Sequence, residues 1–252
     1  MIEVKNLHKS FGDQPVLNGL DIVMYTGKCN LIIGSSGSGK TVMLKSMLGL
    51  LHPEAGSIAF DGRDILSMVP QEARKLRQEM GMVFQGSALF TSSTIAENVK
   101  MPLDFFTSLS EEEKMDRVHF CLDRVRIENA AQKFPAELSG GMQKRVAIAR
   151  AIVLNPKYLF CDEPNSGLDP ETAMVIDNLI QDITQEYGMT TIVNTHDMNS
   201  VLEIGEHVML LKGGLKVWEG SKEEILRADT PDVQDYVFRS HLMKRVREAL
   251  RG

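Results

Sequence analysis

The stretch Gly34-Ser35-Ser36-Gly37-Ser38-Gly39-Lys40-Thr41 follows the apolar run Leu31 to Ile33 and leads into a helical pattern over Lys40 to Leu50. It satisfies GxxxxGK[ST] in full, in the strand–loop–helix setting that the pattern requires. Glycine and serine let the backbone wrap closely around an anion with successive N–H groups turned inward. The helix that follows adds the partial positive charge of its N-terminus. Lys40 is placed to carry an ammonium to the outer phosphates of a nucleotide, and Thr41 to offer a hydroxyl to Mg²⁺. All eight residues are therefore expected to bind nucleotide within an α/β fold. The loop alone leaves kinases, GTPases and ATPases open.

Short apolar runs elsewhere support that fold. Ile2–Val4, Cys29–Ile33, Ile58–Phe60, Met82–Phe84, Tyr158–Cys161, Thr190–Asn194 and Val208–Leu211 read as strands. Several are apolar on both faces, as central strands of a covered, mostly parallel sheet must be. Pro170 to Tyr187 reads as a helix with Asp169 as its N-cap and Pro170 at its first position. From about 86 to 157 the pattern is helical with few strand candidates, and Ser110 followed by Glu111, Glu112 and Glu113 marks a helix start. This segment is expected to be a helical subdomain inserted into the core, which spans 1–225. Residues 226–252 are expected to form a helical extension. There Val233, Val237, Phe238, Leu242, Val246 and Leu250 recur at helical spacing.

Bulk properties exclude other classes. A formal charge of −6 offers no basic footprint, so no nucleic-acid partner is expected. The three cysteines Cys29, Cys121 and Cys161 suit neither a zinc site nor a disulfide framework. The opening MIEVKNLHKSFG lacks the pattern of a signal peptide, and no apolar run is long enough to cross a bilayer. A membrane role is expected to run through a partner.

Two acids close the apolar run at Asp162 and Glu163. Behind a phosphate loop, Asp162 is expected to hold Mg²⁺ and Glu163 to orient and polarise the attacking water. His196 follows the run Thr190–Asn194, which puts it at the sheet edge where α/β folds bind ligands. Gln85 joins a strand end to the helical segment, a place to couple nucleotide state to lobe position and to reach the metal shell.

Leu138-Ser139-Gly140-Gly141-Met142 precedes a helical run to about Leu154. The motif resembles the LSGGQ signature of ABC transporter ATPases, with Met142 in place of glutamine. The likeness runs through roughly the first 225 residues. Phe11 resembles the aromatic A-loop residue, Gln85 the Q-loop, Ser166-Gly167-Leu168-Asp169 the D-loop and His196 the switch histidine. The resemblance implies ATP and Mg²⁺ as ligands, and catalytic roles for Lys40, Glu163 and His196. It implies ATP contacts from Phe11, the eight loop residues, Gln85, Ser139, Gly140, Gly141 and Asp169, and metal contacts from Thr41, Gln85 and Asp162. It further implies a head-to-tail homodimer in which each phosphate loop meets the other copy's signature.

Within that family, Phe84-Gln85-Gly86-Ser87-Ala88-Leu89-Phe90, Glu97-Asn98-Val99 and Pro102-Leu103 resemble the Mla-type phospholipid transporters. Those work with an integral membrane permease and an MCE-domain protein at the cytoplasmic face of the bacterial inner membrane. Asn165 departs from the usual threonine or phenylalanine. The alternatives are another transporter branch, such as amino-acid import or lipoprotein release, and a soluble ABC ATPase acting on DNA or ribosomes.

Overall fold

The computed structural model describes residues 1–239, 243–245 and 247. Along the chain run β1 (Ile2–Phe11), β2 (Gln14–Met24), β3 (Cys29–Ile33), α1 (Lys40–Met47), β4 (Ala55–Phe60), β5 (Arg63–Asp64), α2 (Pro70–Gln78) and β6 (Met80–Val83). Helices α3 (Ile95–Phe106), α4 (Glu111–Arg124) and α5 (Gly140–Ile152) follow. The chain then returns through β7 (Tyr158–Asp162), α6 (Pro170–Tyr187), β8 (Thr190–Asn194), α7 (Met198–Ile204), β9 (His207–Lys212), β10 (Leu215–Gly220), α8 (Lys222–Arg227) and α9 (Pro231–Val237).

Two sheets form. One is six-stranded in the order β10-β9-β3-β8-β7-β6, parallel except for β10 at its edge. The other is four-stranded, in the order β2-β1-β4-β5, and antiparallel. Strand alternation divides the interior into two cores. Leu31, Ile33, Leu159, Cys161, Val193 and Leu210 pack with α5, α6 and the helical segment. Their neighbours Ile32, Phe160, Ile192, Met209 and Leu211 face the second sheet, with Met43, Leu44 and Met47 of α1 in the same core. That is why β3 and β8 are buried at every position.

The second sheet differs from the sequence reading. β1 is not the short run Ile2–Val4, and β2 was not anticipated at all. Gly12-Asp13 links them as a two-residue hairpin turn, with Gly12 at φ 58°. Both strands carry register shifts and exposed positions that blur their alternation. β10 was likewise missed, because its edge position leaves it largely half-exposed. Two helix starts match their sequence signals: Ser110 closes a capping box, and Asp169 accepts from the Thr172 N–H at 3.0 Å; Thr94 and Ser221 close capping boxes that the sequence reading did not single out. The three cysteines are free and buried, and burial pushes each thiol well above its ordinary range. Of the periodic C-terminal positions, Val233 and Val237 are buried in α9, and Phe238 is the residue that caps it. Leu242, Val246 and Leu250 lie outside the described residues.

Candidate ATP-hydrolysis site

The loop after β3 wraps a cleft of about 760 Å³ lined by Phe11, Gln14, Val16, Ser36 through Val42, Gln85, Glu163 and His196. This size is in the range of small-ligand sites. Two of its glycines stand where no larger residue fits. A Cβ on Gly34 (φ +151°) would lie 2.4 Å from the Leu211 carbonyl, and one on Gly39 (φ +104°) 2.9 Å from Leu17 Cδ2. Gly37 has open space around it, so the backbone there is bare to a ligand. Lys40 curls back over the loop, its Nζ donating to the carbonyls of Gly34 at 2.7 Å and Ser35 at 3.1 Å. Burial lowers the Lys40 pKa, while the charges of Glu163 and Asp162 draw it back up.

Glu163 is the hub of the facing wall. Its backbone sits at φ 47°, a left-handed conformation that turns the chain sharply at the end of β7. Its Oε1 lies 3.0 Å from His196 Nδ1, and its Oε2 accepts from Gln85 Nε2 at 3.2 Å. The same amide reaches Ser166 Oγ at 3.4 Å. Asp162 is set behind the cleft wall and accepts from Asn194 Nδ2 at 3.1 Å.

Sequence-predicted residues thus fall into two clusters. Phe11, the loop residues Ser36 to Thr41, Gln85, Glu163 and His196 line the cleft, while Gly34, Ser35 and Asp162 adjoin these residues in the chain without lining it. Ser139, Gly140, Gly141 and Asp169 lie outside its lining. They sit together at the adjoining N-termini of α5 and α6, where Ser139 accepts from the Met142 N–H at 3.3 Å. A Cβ on Gly141 would come within 2.5 Å of Thr172.

Other contacts had no sequence signal. The Lys144 ammonium on α5 donates to the Gln85 carbonyl, and Arg150 donates to the carbonyls of Ser87 and Ala88, both at 2.7 Å. Ser87 and Ala88 have positive φ, so α5 holds the linker in an otherwise unfavourable conformation. Tyr236 of α9 donates its hydroxyl to the Gly34 carbonyl at 3.3 Å.

The site fits a magnesium nucleotide. The Ser38 hydroxyl is buried without a partner in the loop, and the exposed Thr41 and the carboxylate of Asp162 are hard oxygen donors. Among the described residues no group of three or more His, Cys, Asp or Glu could hold a metal alone. That suits an ion carried in largely by phosphate oxygens.

Near this wall Asp177 is buried, and burial pushes its carboxyl up to about 6; hydrogen bonds from Ser200 and Asn165 oppose the rise, and Asp197 and Glu203 add to it. Because the folded value exceeds the unfolded one, the folded state is favoured below the unfolded value and loses that advantage as pH rises through 6. The loss is on the order of 3 kcal/mol. Asp177→Asn should therefore resist urea better than wild type at pH 8, with the gain vanishing near pH 4. A wild type that is the more stable of the two at pH 8 would contradict this.

Parallel strands bearing a glycine-rich phosphate loop, with an acid and a histidine on the opposite wall, define a P-loop nucleoside triphosphatase. A family model described as "ABC transporter" matches residues 17–166. The probable ribonucleotide transport ATP-binding protein mkl of Mycobacterium leprae is 39% identical over 236 residues, covering 94% of this chain and 68% of that one. The intermembrane phospholipid transport system ATP-binding protein MlaF of Haemophilus influenzae is 40% identical over 228 residues, covering 90% and 86%. The methionine import ATP-binding protein MetN 2 of Pseudomonas entomophila is 37% identical over 242 residues, covering 94% and 72%. The cassette MJ0796, solved as a dimer in a post-hydrolysis state with ADP and Pi, aligns at a TM-score of 0.80 and 34% identity, covering 88% of this chain and 99% of that one. The chain belongs to the ABC transporter family. It is an ATP-binding subunit that hydrolyses ATP with Mg²⁺.

Proposed function

We propose that two copies of this chain close head to tail around two Mg-ATP and drive a membrane permease that moves phospholipid between bacterial membranes. The observation that carries the motor reading is the division of site residues into two clusters. One chain offers a phosphate loop with its acid and histidine in a cleft, and a second helix N-terminus at Ser139–Gly141 outside it. A second anion-facing terminus that the cleft does not use is suited to a nucleotide held by another copy.

In this reading the loop N–H groups and Lys40 hold the phosphates, and Phe11 stacks on the base. Glu163 takes the proton of the attacking water, and His196 holds Glu163 in place and meets the terminal phosphate. Thr41, Asp162 and Gln85 would hold Mg²⁺, which when bound neutralises phosphate charge. Ser139, Gly140, Gly141 and Asp169 complete the partner's site. Closure is favoured by ATP because only the closed pair makes both sets of contacts. Gln85 transmits the change to the helical subdomain, inserted at about 86–157 in a core of 1–225 that precedes an extension of 226–252. A cleft of about 350 Å³ adjoins this linker, with Phe84, Phe90, Met101, Pro102 and Phe106 in its wall. We assign the permease contact to it, since exposed aromatics in a groove mark interfaces.

The cargo reading rests on the motifs at Phe84–Phe90, Glu97–Val99 and Pro102–Leu103. It also rests on MlaF being matched over 86% of its length, against 68% for mkl and 72% for MetN 2. Among the described residues no helix is long and apolar enough to cross a membrane, so attachment at the cytoplasmic face of the inner membrane would be peripheral. Purifying the protein from native membranes should bring down a permease and an MCE-domain protein. A periplasmic amino-acid-binding protein in their place would move the cargo to amino-acid import. DNA or ribosomes instead would remove the transporter reading altogether.

A further inference from the structure

Asn165, the residue that departs from the family pattern, does not line the cleft. It lies two positions past Glu163, and one Nδ2 reaches both Asp177 Oδ2 at 3.2 Å and Ser200 Oγ at 2.7 Å. The three residues come from three elements: the loop after β7, helix α6 and helix α7. They are 8%, 3% and 1% exposed, so this is a buried polar junction.

Its position decides its meaning. On one side, Asn165 is flanked by Glu163 and by Ser166, both hydrogen-bonded by Gln85. On the other, Ser200 sits in the helix that begins directly after His196 and Asp197. The Glu163–His196 contact of 3.0 Å therefore has the junction as its support on both flanks. The Glu163 N–H bonded to the Asn194 carbonyl at 2.9 Å is a second tie between the same two segments.

A junction that served stability alone would be better made from apolar side chains, since a buried polar set is weaker than a well-packed apolar one of similar volume. Asp177 is a costly choice. Its Oδ1 is buried without a hydrogen-bond partner, and the acids Asp197 and Glu203 stand near it. What the polar junction supplies and an apolar one does not is direction. Two N–H bonds from one planar amide fix the loop against α7 at a set distance and angle.

We propose that Asn165 is a positioning residue that, through Asp177 and Ser200, holds Glu163 against His196 for the attack of water. This rests on the roles proposed above for Glu163 and His196, and goes beyond them by naming what sets their distance.

The test compares full-length Asn165→Leu/Asp177→Leu with Asp177→Asn. Asparagine at 177 still accepts from Asn165, so Asp177→Asn should keep kcat within about twofold. The leucine pair fills the same space and should melt cooperatively and bind ATP like wild type, with kcat lower by about tenfold or more, as expected for a displaced catalytic group. Asn165→Ala, measured in the same way, stands in should the leucine pair fail to fold. A leucine pair, or Asn165→Ala in its place, that turns over ATP at the wild-type kcat overturns the proposal. Glu163→Gln runs beside them. Its turnover at the wild-type rate would sink the base and the positioning role together, whereas an inactive Glu163→Gln beside a leucine pair at full rate would sink the positioning role alone.

Discussion

Glu163→Gln is expected to bind Mg-ATP about as well as wild type and to lose turnover by on the order of 10²-fold or more, the usual consequence of removing a general base. Glutamine is close in size to glutamate and can still face His196 and Gln85, which lie 3.0 and 3.2 Å from the carboxylate oxygens. What it lacks is a basic oxygen and a negative charge. The phosphate cradle is untouched, because Lys40 and the loop N–H groups bond on the other side of the cleft. Phosphate release under saturating ATP, together with equilibrium ATP binding, separates the two effects. A variant that hydrolyses at the wild-type rate would assign the base elsewhere.

Lys40→Ala is expected to weaken ATP binding by roughly 10- to 100-fold, the size of one lost charge-assisted hydrogen bond to phosphate. In this structure the ammonium is folded onto the carbonyls of Gly34 and Ser35. Its move to phosphate exchanges neutral acceptors for charged ones, and burial has already removed part of its hydration. That exchange makes the contact strong once nucleotide arrives. Titration with ATP and Mg²⁺ measures it, and an unchanged affinity would contradict the cradle as described.

How much of this could be read from the residues depends on how local each cause is. The phosphate loop was legible because its conformation is set by three glycines within a span of six positions and by the helix that follows. The caps at Ser110 and Asp169 were legible for the same reason, and α6 and β8 have the bounds the sequence suggests. The hairpin β1–β2 was not, because its strands alternate poorly and only Gly12-Asp13 announced the turn. Contacts across the fold left no mark either. Nothing around Tyr236 indicates that α9 reaches Gly34, and nothing around Lys144 indicates a bond to the Gln85 carbonyl. Asn165 stood out as a departure, yet its partners Asp177 and Ser200 lie 12 and 35 positions away. The assignment of Ser139, Gly140, Gly141 and Asp169 to a second copy's nucleotide came from resemblance to a family, since no spacing within one chain says which nucleotide a helix N-terminus serves.

The proposal that one ATP is shared by two copies of this chain meets its most direct test in the mass of Glu163→Gln in solution, measured by sedimentation with and without Mg-ATP. Slow turnover should hold the closed state, so we expect monomers without nucleotide and a particle of two chains with it. Adding Ser139→Arg should return that particle to monomers. Glu163→Gln that stays monomeric with its cleft saturated by ATP would contradict the shared site.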